Sequence, residues 1–305
     1  MNYKKIIKNK ETRIKILQAL SFVPDKLMLQ TEYFIKNNRL PNLKNPQRFT
    51  EKLIWYKLNY RDPLMKKCVD KYDVREYIES LGYGDLLVNC YGVFDNVEDI
   101  NFEVLPDKFV LKDTVGSGGH EVIVCKDKSK LDIEETKKQL NKWLAENKNI
   151  NKKNIGREWV YDKIRHRIII DEYIEAEKET GITDYKFICF NGEFGLLYVV
   201  NDRKLDEGAD FAFYDENFNK LDVTRSDEKP SKIDEKRPEN FERLLEVAKN
   251  ISKGFPECRV DLYDENNVIK FGEITFFDGG GYFSYNPDSF DFELGSKFKL
   301  PEKNK

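Results

Sequence analysis

The chain has 305 residues, 40% of them apolar and 35% charged, with 21 Phe and 16 Tyr; that is material for two or three packed lobes and excludes disorder over any large span. A formal net charge of −3 from 52 basic and 55 acidic residues gives no overall field to attract nucleic acid. Five scattered cysteines without a CxxC pair point to a reducing cytosol, and with only His120 and His166 a His-rich zinc site or a serine-hydrolase centre is disfavoured.

Residues 1 to about 40 place Ile6, Ile7, Ile14, Leu17 and Leu20 at roughly helical spacing among Lys4, Lys5, Lys8, Lys10, Arg13 and Lys15. Such a basic amphipathic helix either docks on its own protein or lies on an anionic membrane surface. The start lacks the apolar core of a signal peptide, and no run approaches the roughly 18 apolar residues of a membrane span. The expected location is therefore cytoplasmic, at the inner face of the membrane if the basic helix lies on it.

PNLKNPQR (residues 41–48) reads as a linker. FTEKLIWYKLNY and CVDKYDVREYIESLGYG read as helices, the second ended by Gly82. Strand-like runs follow in LLVNCYGVF, KFVLKD and EVIVCKD, then a long helix, LDIEETKKQLNKWLAENK, and two more strand-like runs, EWVYDK and RIIIDEYI. YKFICF turns at Asn191-Gly192 and returns as FGLLYVVNDR, a hairpin signal. The helix ENFERLLEVAKNIS leads to the last pair of strands, CRVDLY and VIKFGEITFF, and then DGGG. Interleaved helices with frequent hairpins predict a mixed α+β fold.

Three clusters carry chemistry. FVLK delivers Lys112 at a strand end, and Gly116, Ser117, Gly118 and Gly119 follow; glycine lets backbone N–H groups close on phosphates. In RVDLY and GEITFF, residues two apart share a face, and an odd loop length would bring Asp261 and Glu273 together beside Thr275, hard oxygen donors suited to Mg²⁺. Arg259 beside them would hold a phosphate or an anionic intermediate. The apolar strand ending in Asp171, Glu172, Tyr173 and Ile174 would offer backbone groups to an adenine edge, with a later acid such as Asp184 on ribose. Each cluster alone is also compatible with a plain turn or a solvated strand face.

In this order and spacing the clusters resemble the ATP-grasp superfamily and, within it, the TupA-like proteins of teichuronopeptide biosynthesis from bacterial surface-polysaccharide loci. The resemblance runs from NPQRFTEKLIWYKL and DKYDVREYI to GEITFFDGGG. It implies an ATP-grasp fold in which two α+β subdomains grip ATP, with a helical extension over residues 1–65, the first subdomain over 66–174 and the second, with the metal site, over 175–305. It assigns Lys71 and Lys112 to the nucleotide phosphates, Gly116 to Gly119 to the loop above them, Asp171 to Ile174 to adenine, and Asp184, with Glu175 or Glu179 as alternatives, to ribose. Lys186 would face the same site, Asp261, Glu273 and Thr275 would hold metal, and Arg259, with Lys112, would act in catalysis.

Val115 stands where relatives often have His, and Asp278 where they often have Pro, a change expected to loosen that turn. The function implied is an ATP- and Mg²⁺-dependent carboxylate–amine ligase of surface-polysaccharide synthesis, joining an amine or amino acid to a uronic-acid carboxyl. A glycan kinase and a non-turning-over binding subunit are the alternatives.

Overall fold

The computed structural model describes residues 9–116, 121–146, 154–177, 181–204, 208–231 and 234–304. The predicted Ser117, Gly118, Gly119 and Glu179 lie outside them.

Two helices, α1 (Lys10–Ala19) and α2 (Asp25–Asn37), make the N-terminal extension. After the Pro-containing linker come α3 (Phe49–Asn59), α4 (Pro63–Cys68) and α5 (Val74–Ser80). The expected continuous helix from Cys68 breaks at residues 69–73, because the Asp70 carboxylate accepts from the backbone N–H of Tyr72 (2.8 Å) and Asp73 (3.0 Å) and holds a turn there. Lys71 therefore sits in a turn and not on a helix. Gly82, at a φ of 81°, follows the last helix in the left-handed region.

A four-stranded antiparallel sheet of order β1-β4-β2-β3 is built from β1 (Cys90–Phe94), β2 (Phe109–Asp113), β3 (Val122–Cys125) and β4 (Ile168–Glu172). Helix α6 (Ile133–Glu146) packs Leu140 and Trp143 onto Phe109, Leu111, Ile168 and Ile170 to form its core. EWVYDK, expected as a strand, is a short 3₁₀ turn at Trp159–Tyr161. Left-handed backbone at Arg157 (φ 55°) and Lys163 (φ 59°) brackets that segment, and the Asn154 N–H donates to Asp162 across it at 2.7 Å.

The chain then crosses to a six-stranded sheet of order β11-β10-β5-β6-β7-β9. Its strands are β5 (Asp184–Phe190), β6 (Glu193–Lys204), β7 (Gly208–Tyr214), β9 (Lys229–Pro230), β10 (Cys258–Glu265) and β11 (Val268–Thr275). β8 (Thr224–Arg225) pairs with β12 (Tyr285–Asn286) in a separate ribbon. Asn191 and Gly192 both take positive φ and close the β5–β6 hairpin as the sequence predicts. Helix α7 (Phe241–Ser252) covers one face of this sheet, with Phe241 against Phe187, and α8 (Ser289–Lys297) packs with α3 near the C-terminus. Met65, Val74, Ile78 and Leu87 share the large core with Phe187, Val260 and Leu262. Val74, Ile78 and Leu87 thus pack with the six-stranded sheet.

Candidate active site

The face of the six-stranded sheet opposite α7 carries a charged row set by cross-strand register: Tyr198 on β6, Lys186 on β5, Asp261 on β10 and Glu273 on β11 stand directly opposite one another in turn. The register has a local cause. The β10–β11 turn is the two-residue Asn266-Asn267, both left-handed, which on its own would set Asp261 against Gly272. A bulge after Asp261 inserts Gly272 and moves Glu273 into line. The odd residue thus comes from the bulge and not, as expected, from the loop. Glycine is favoured there, since a Cβ would meet the Asp261 carbonyl oxygen at 3.0 Å and the Tyr263 ring at 3.1 Å.

Arg259 lies across the row. Its Nε and Nη2 donate to the two Asp261 oxygens at 2.6 and 2.7 Å. The same Nη2 reaches Glu273 Oε1 at 3.1 Å and Thr275 Oγ1 at 3.0 Å. Two carboxylates and a hydroxyl therefore converge on one cationic nitrogen. Lys186 Nζ pairs with Asp261 and, at 2.7 Å, with Asp184. Burial, the largest influence, raises the Asp261 carboxyl above its usual range, while Arg259 and Lys186 pull against it.

Residues that sequence reasoning missed hold Arg259 in place. Asp278 accepts from Arg259 Nη1, from the Tyr198 hydroxyl at 3.0 Å and from Arg225 Nη1 at 2.6 Å. Burial alone would raise its carboxyl; Arg225 and then Arg259 outweigh burial and keep it well below the usual carboxylate range. Asp278 therefore ties the DGGG turn down, contrary to the expectation that it would loosen it. The turn can aim this side chain inward because Phe277, Gly279, Gly280 and Gly281 all take positive φ. Lys57, wholly buried, donates to the Gly280 carbonyl at 2.9 Å and pairs with Glu158 at 3.2 Å behind it.

On the smaller sheet Lys112 Nζ pairs with Asp171 Oδ2 at 2.9 Å, and Lys71 Nζ donates to the Gly116 carbonyl. Burial depresses the Lys71 ammonium, with Glu273 resisting and Lys112 adding to the fall. The turn holding Lys71 is pinned to β4 by Arg167, which reaches Asp70 at 3.0 Å and Asp73 at 2.8 Å. Val115, where relatives carry His, is buried and donates its N–H to Asp113 at 2.8 Å. His166 bonds Asp113 at 2.8 Å.

The expected adenine segment is divided by the fold. Asp171 and Glu172 end β4, Asp171 bound to Lys112 and Glu172 accepting from Asn89 Nδ2 at 2.9 Å. Tyr173 and Ile174 begin the crossing, where Glu175 pairs with Lys108 at the surface. Glu265 clamps the crossing by accepting from the N–H groups of Glu177 (2.7 Å) and Thr183 (2.9 Å). Asp184 stands inside the charged row beside Lys186.

The chain matches the family described as TupA-like ATPgrasp over residues 51–299. The chain belongs to the TupA-like ATP-grasp family. It is thus an ATP-dependent ligase of the ATP-grasp class, with the mixed α+β fold that class implies. Among solved structures, D-alanine–D-alanine ligase from Bacillus anthracis is 16% identical with a TM-score of 0.44, over 76% of this chain and 67% of that one. The corresponding ligase from Helicobacter pylori is 14% identical (TM-score 0.43, 84% and 68% covered). D-cycloserine synthetase DcsG is 16% identical (TM-score 0.42, 78% and 72%). Likenesses this distant carry no weight beside the family match. No curated protein matches the chain.

For a TupA-like ATP-grasp protein a divalent cation is the implied cofactor. Among the described residues no three His, Cys, Asp or Glu side chains form a metal cluster. The donor set it offers is Asp261, Glu273 and Thr275, whose oxygens already share the cationic Arg259 Nη2. Few protein oxygens suit Mg²⁺, which takes one or two carboxylates and completes its shell with water and phosphate.

Proposed function

We propose that the chain is an ATP- and Mg²⁺-dependent carboxylate–amine ligase of bacterial cell-surface polysaccharide synthesis, joining an amino acid or amine to a uronic-acid carboxyl on a glycan or its precursor. The observation that carries the chemistry is the convergence of Asp261, Glu273 and Thr275 on Arg259 Nη2. The glycan setting rests on family membership. The lobes we assign are residues 90–172, and residues 49–87 together with 183–304.

ATP would lie between them. Lys71, Lys112 and the Gly116–Gly119 loop hold its phosphates, the segment around Tyr173 and Ile174 holds adenine, and Asp184 serves ribose. Both lysines can turn toward phosphate: Lys71 gives up a neutral carbonyl, and Lys112 exchanges one anion for another. The substrate carboxylate attacks the terminal phosphorus, ADP departs, and the amine then displaces phosphate from the acyl-phosphate carbon. Mg²⁺, held by Asp261, Glu273 and Thr275, would neutralise phosphate charge during transfer.

Arg259 is fixed at Nη1 by Asp278 and Tyr198. Its Nη2 side is the part that can trade carboxylate for phosphate, stabilising the acyl-phosphate and the tetrahedral species after it. Positioning and electrostatics supply the rest, and the row needs no histidine base.

The test is Mg²⁺-dependent ATP turnover by wild type and Glu273→Gln against pooled uronic acids, uronic-acid glycans and amino acids, with ADP and free phosphate followed separately. ADP and phosphate should appear in equal amounts, only when carboxylate and amine are both present, and both should vanish in the variant. ADP without phosphate would replace the ligase with a kinase.

A further inference from the structure

The N-terminal extension bears an outer face that the reaction does not use. Fourteen large apolar side chains are exposed in the described chain, and five of them, Ile16, Phe22, Leu27, Phe34 and Leu40, fall within residues 16–40. On α2, Leu27 (57% exposed) and Phe34 (48%) are seven residues apart, two helical turns, and share one face. Phe22, 82% exposed, stands just before the helix, and Leu40, 66% exposed, just after it. The opposite face, Met28, Leu29 and Tyr33, is buried against the body, so the exposed stripe is not the docking side of the helix.

Charge distinguishes this region further. The first forty residues hold nine basic and three acidic side chains, a net charge of +6, and the whole-chain value of −3 leaves −9 for the remainder. Lys26 flanks the stripe and Lys15 is exposed on α1. The face is firmly attached: Arg157, with its left-handed backbone, donates to the carbonyls of Leu20 (2.7 Å), Ser21 (3.3 Å) and Val23 (3.2 Å) and pairs with Asp25 at 3.0 Å. The next residue, Glu158, pairs with Lys57 under the DGGG turn. The segment gripping the start of α2 thus runs directly into the residue paired under the DGGG turn.

We propose that this face docks on an anionic membrane surface, the apolar stripe entering the headgroup boundary while the lysines meet lipid phosphates. Charge argues for this occupant: an anionic bilayer attracts the extension and repels the acidic body, so the protein approaches by one face, whereas two copies meeting stripe to stripe would bring like charges together. No helix among the described residues is long and apolar enough to cross a membrane, so the contact is peripheral, and it holds the active site beside the bilayer.

Flotation of the full chain with phosphatidylcholine vesicles, with and without phosphatidylglycerol, tests this. Wild type should float with the anionic vesicles alone and detach in high salt. Phe22→Ser with Phe34→Ser, and separately Lys15→Glu with Lys26→Glu, should each lower the bound fraction roughly tenfold or more while melting and ATP binding stay unchanged. Equal behaviour on both vesicles, binding unaffected by either double variant, or a dimer in light scattering that the phenylalanine variant dissolves would overturn it.

Discussion

The two sheets hold their charges in opposite ways. Toward the four-stranded side the cations proposed to meet phosphate have one partner each: Lys71 the Gly116 carbonyl, Lys112 the Asp171 carboxylate. On the six-stranded side Lys186, Asp261, Arg259, Asp278 and Arg225 form one continuous buried chain of ion pairs, which Lys186 extends to Asp184 and Arg225 to Asp227. Lys71, on a neutral carbonyl, can leave it for a phosphate without stranding a charge. A buried network cannot shift one member without stranding another. The first arrangement suits a ligand that comes and goes, the second a fixed template for the charge that develops during reaction.

The sharpest way to break that contrast is Asp278→Asn, which leaves Arg225 and Arg259 buried with less counter-charge. A loss of about 3–5 kcal/mol of stability is expected, together with a fall in kcat larger than any change in KM for ATP, since Arg259 loses its anchor and the phosphate-side lysines do not. Denaturant unfolding and steady-state kinetics on one preparation measure both. Lys71→Met should behave oppositely. It removes a half-buried cation whose partner is a neutral carbonyl, so the melting temperature should hold to within a few degrees, while KM for ATP rises on the order of 10–100-fold with the loss of a charged phosphate contact. Equal stability losses in the two variants would erase the distinction between the singly held cation and the networked ones.

How far the sequence reveals this follows the range of the interactions. Asn191-Gly192 announces its hairpin because both φ values are decided within two residues. Arg259, Asp261, Glu273 and Thr275 were legible because strand alternation is local and their spacing matches a known family. The bulge at Gly272 was not legible: one glycine in a strand signals a bulge only weakly, and which residue it would realign depends on a turn six residues away. Arg225 and Asp278 were missed for a different reason. They are 53 residues apart and meet at 2.6 Å, and nothing in DVTRSDEK or FFDGGG names the other. Reading Asp278 as a departure from proline concealed what its carboxylate could bind.

The smallest expected effect lies at the rim of the same network. Arg225 serves three acids: Asp278, Asp227 at 2.8 Å and Glu228 at 3.2 Å. Burial, with Asp227 and Asp278 adding to it and Arg225 opposing, pushes the Glu228 carboxyl up to about 7. An unfolded glutamate titrates near 4.3, so between those values the unfolded chain releases a proton that the folded protein keeps. The stabilisation linked to Glu228 is therefore complete below the unfolded value and lost as pH rises through about 7. Glu228→Gln cannot ionise; it should match wild type near pH 4, melt a few degrees higher near pH 8 and flatten the slope between. Asp278, depressed by its two arginines, has the opposite linkage, its contribution fading only in strong acid, so the two acids on Arg225 are separable by pH. If the glutamine variant kept the wild-type slope, surplus negative charge at Arg225 would not be what the network pays for near neutrality, and the distinction between a saturated centre and an over-supplied rim would fall with it.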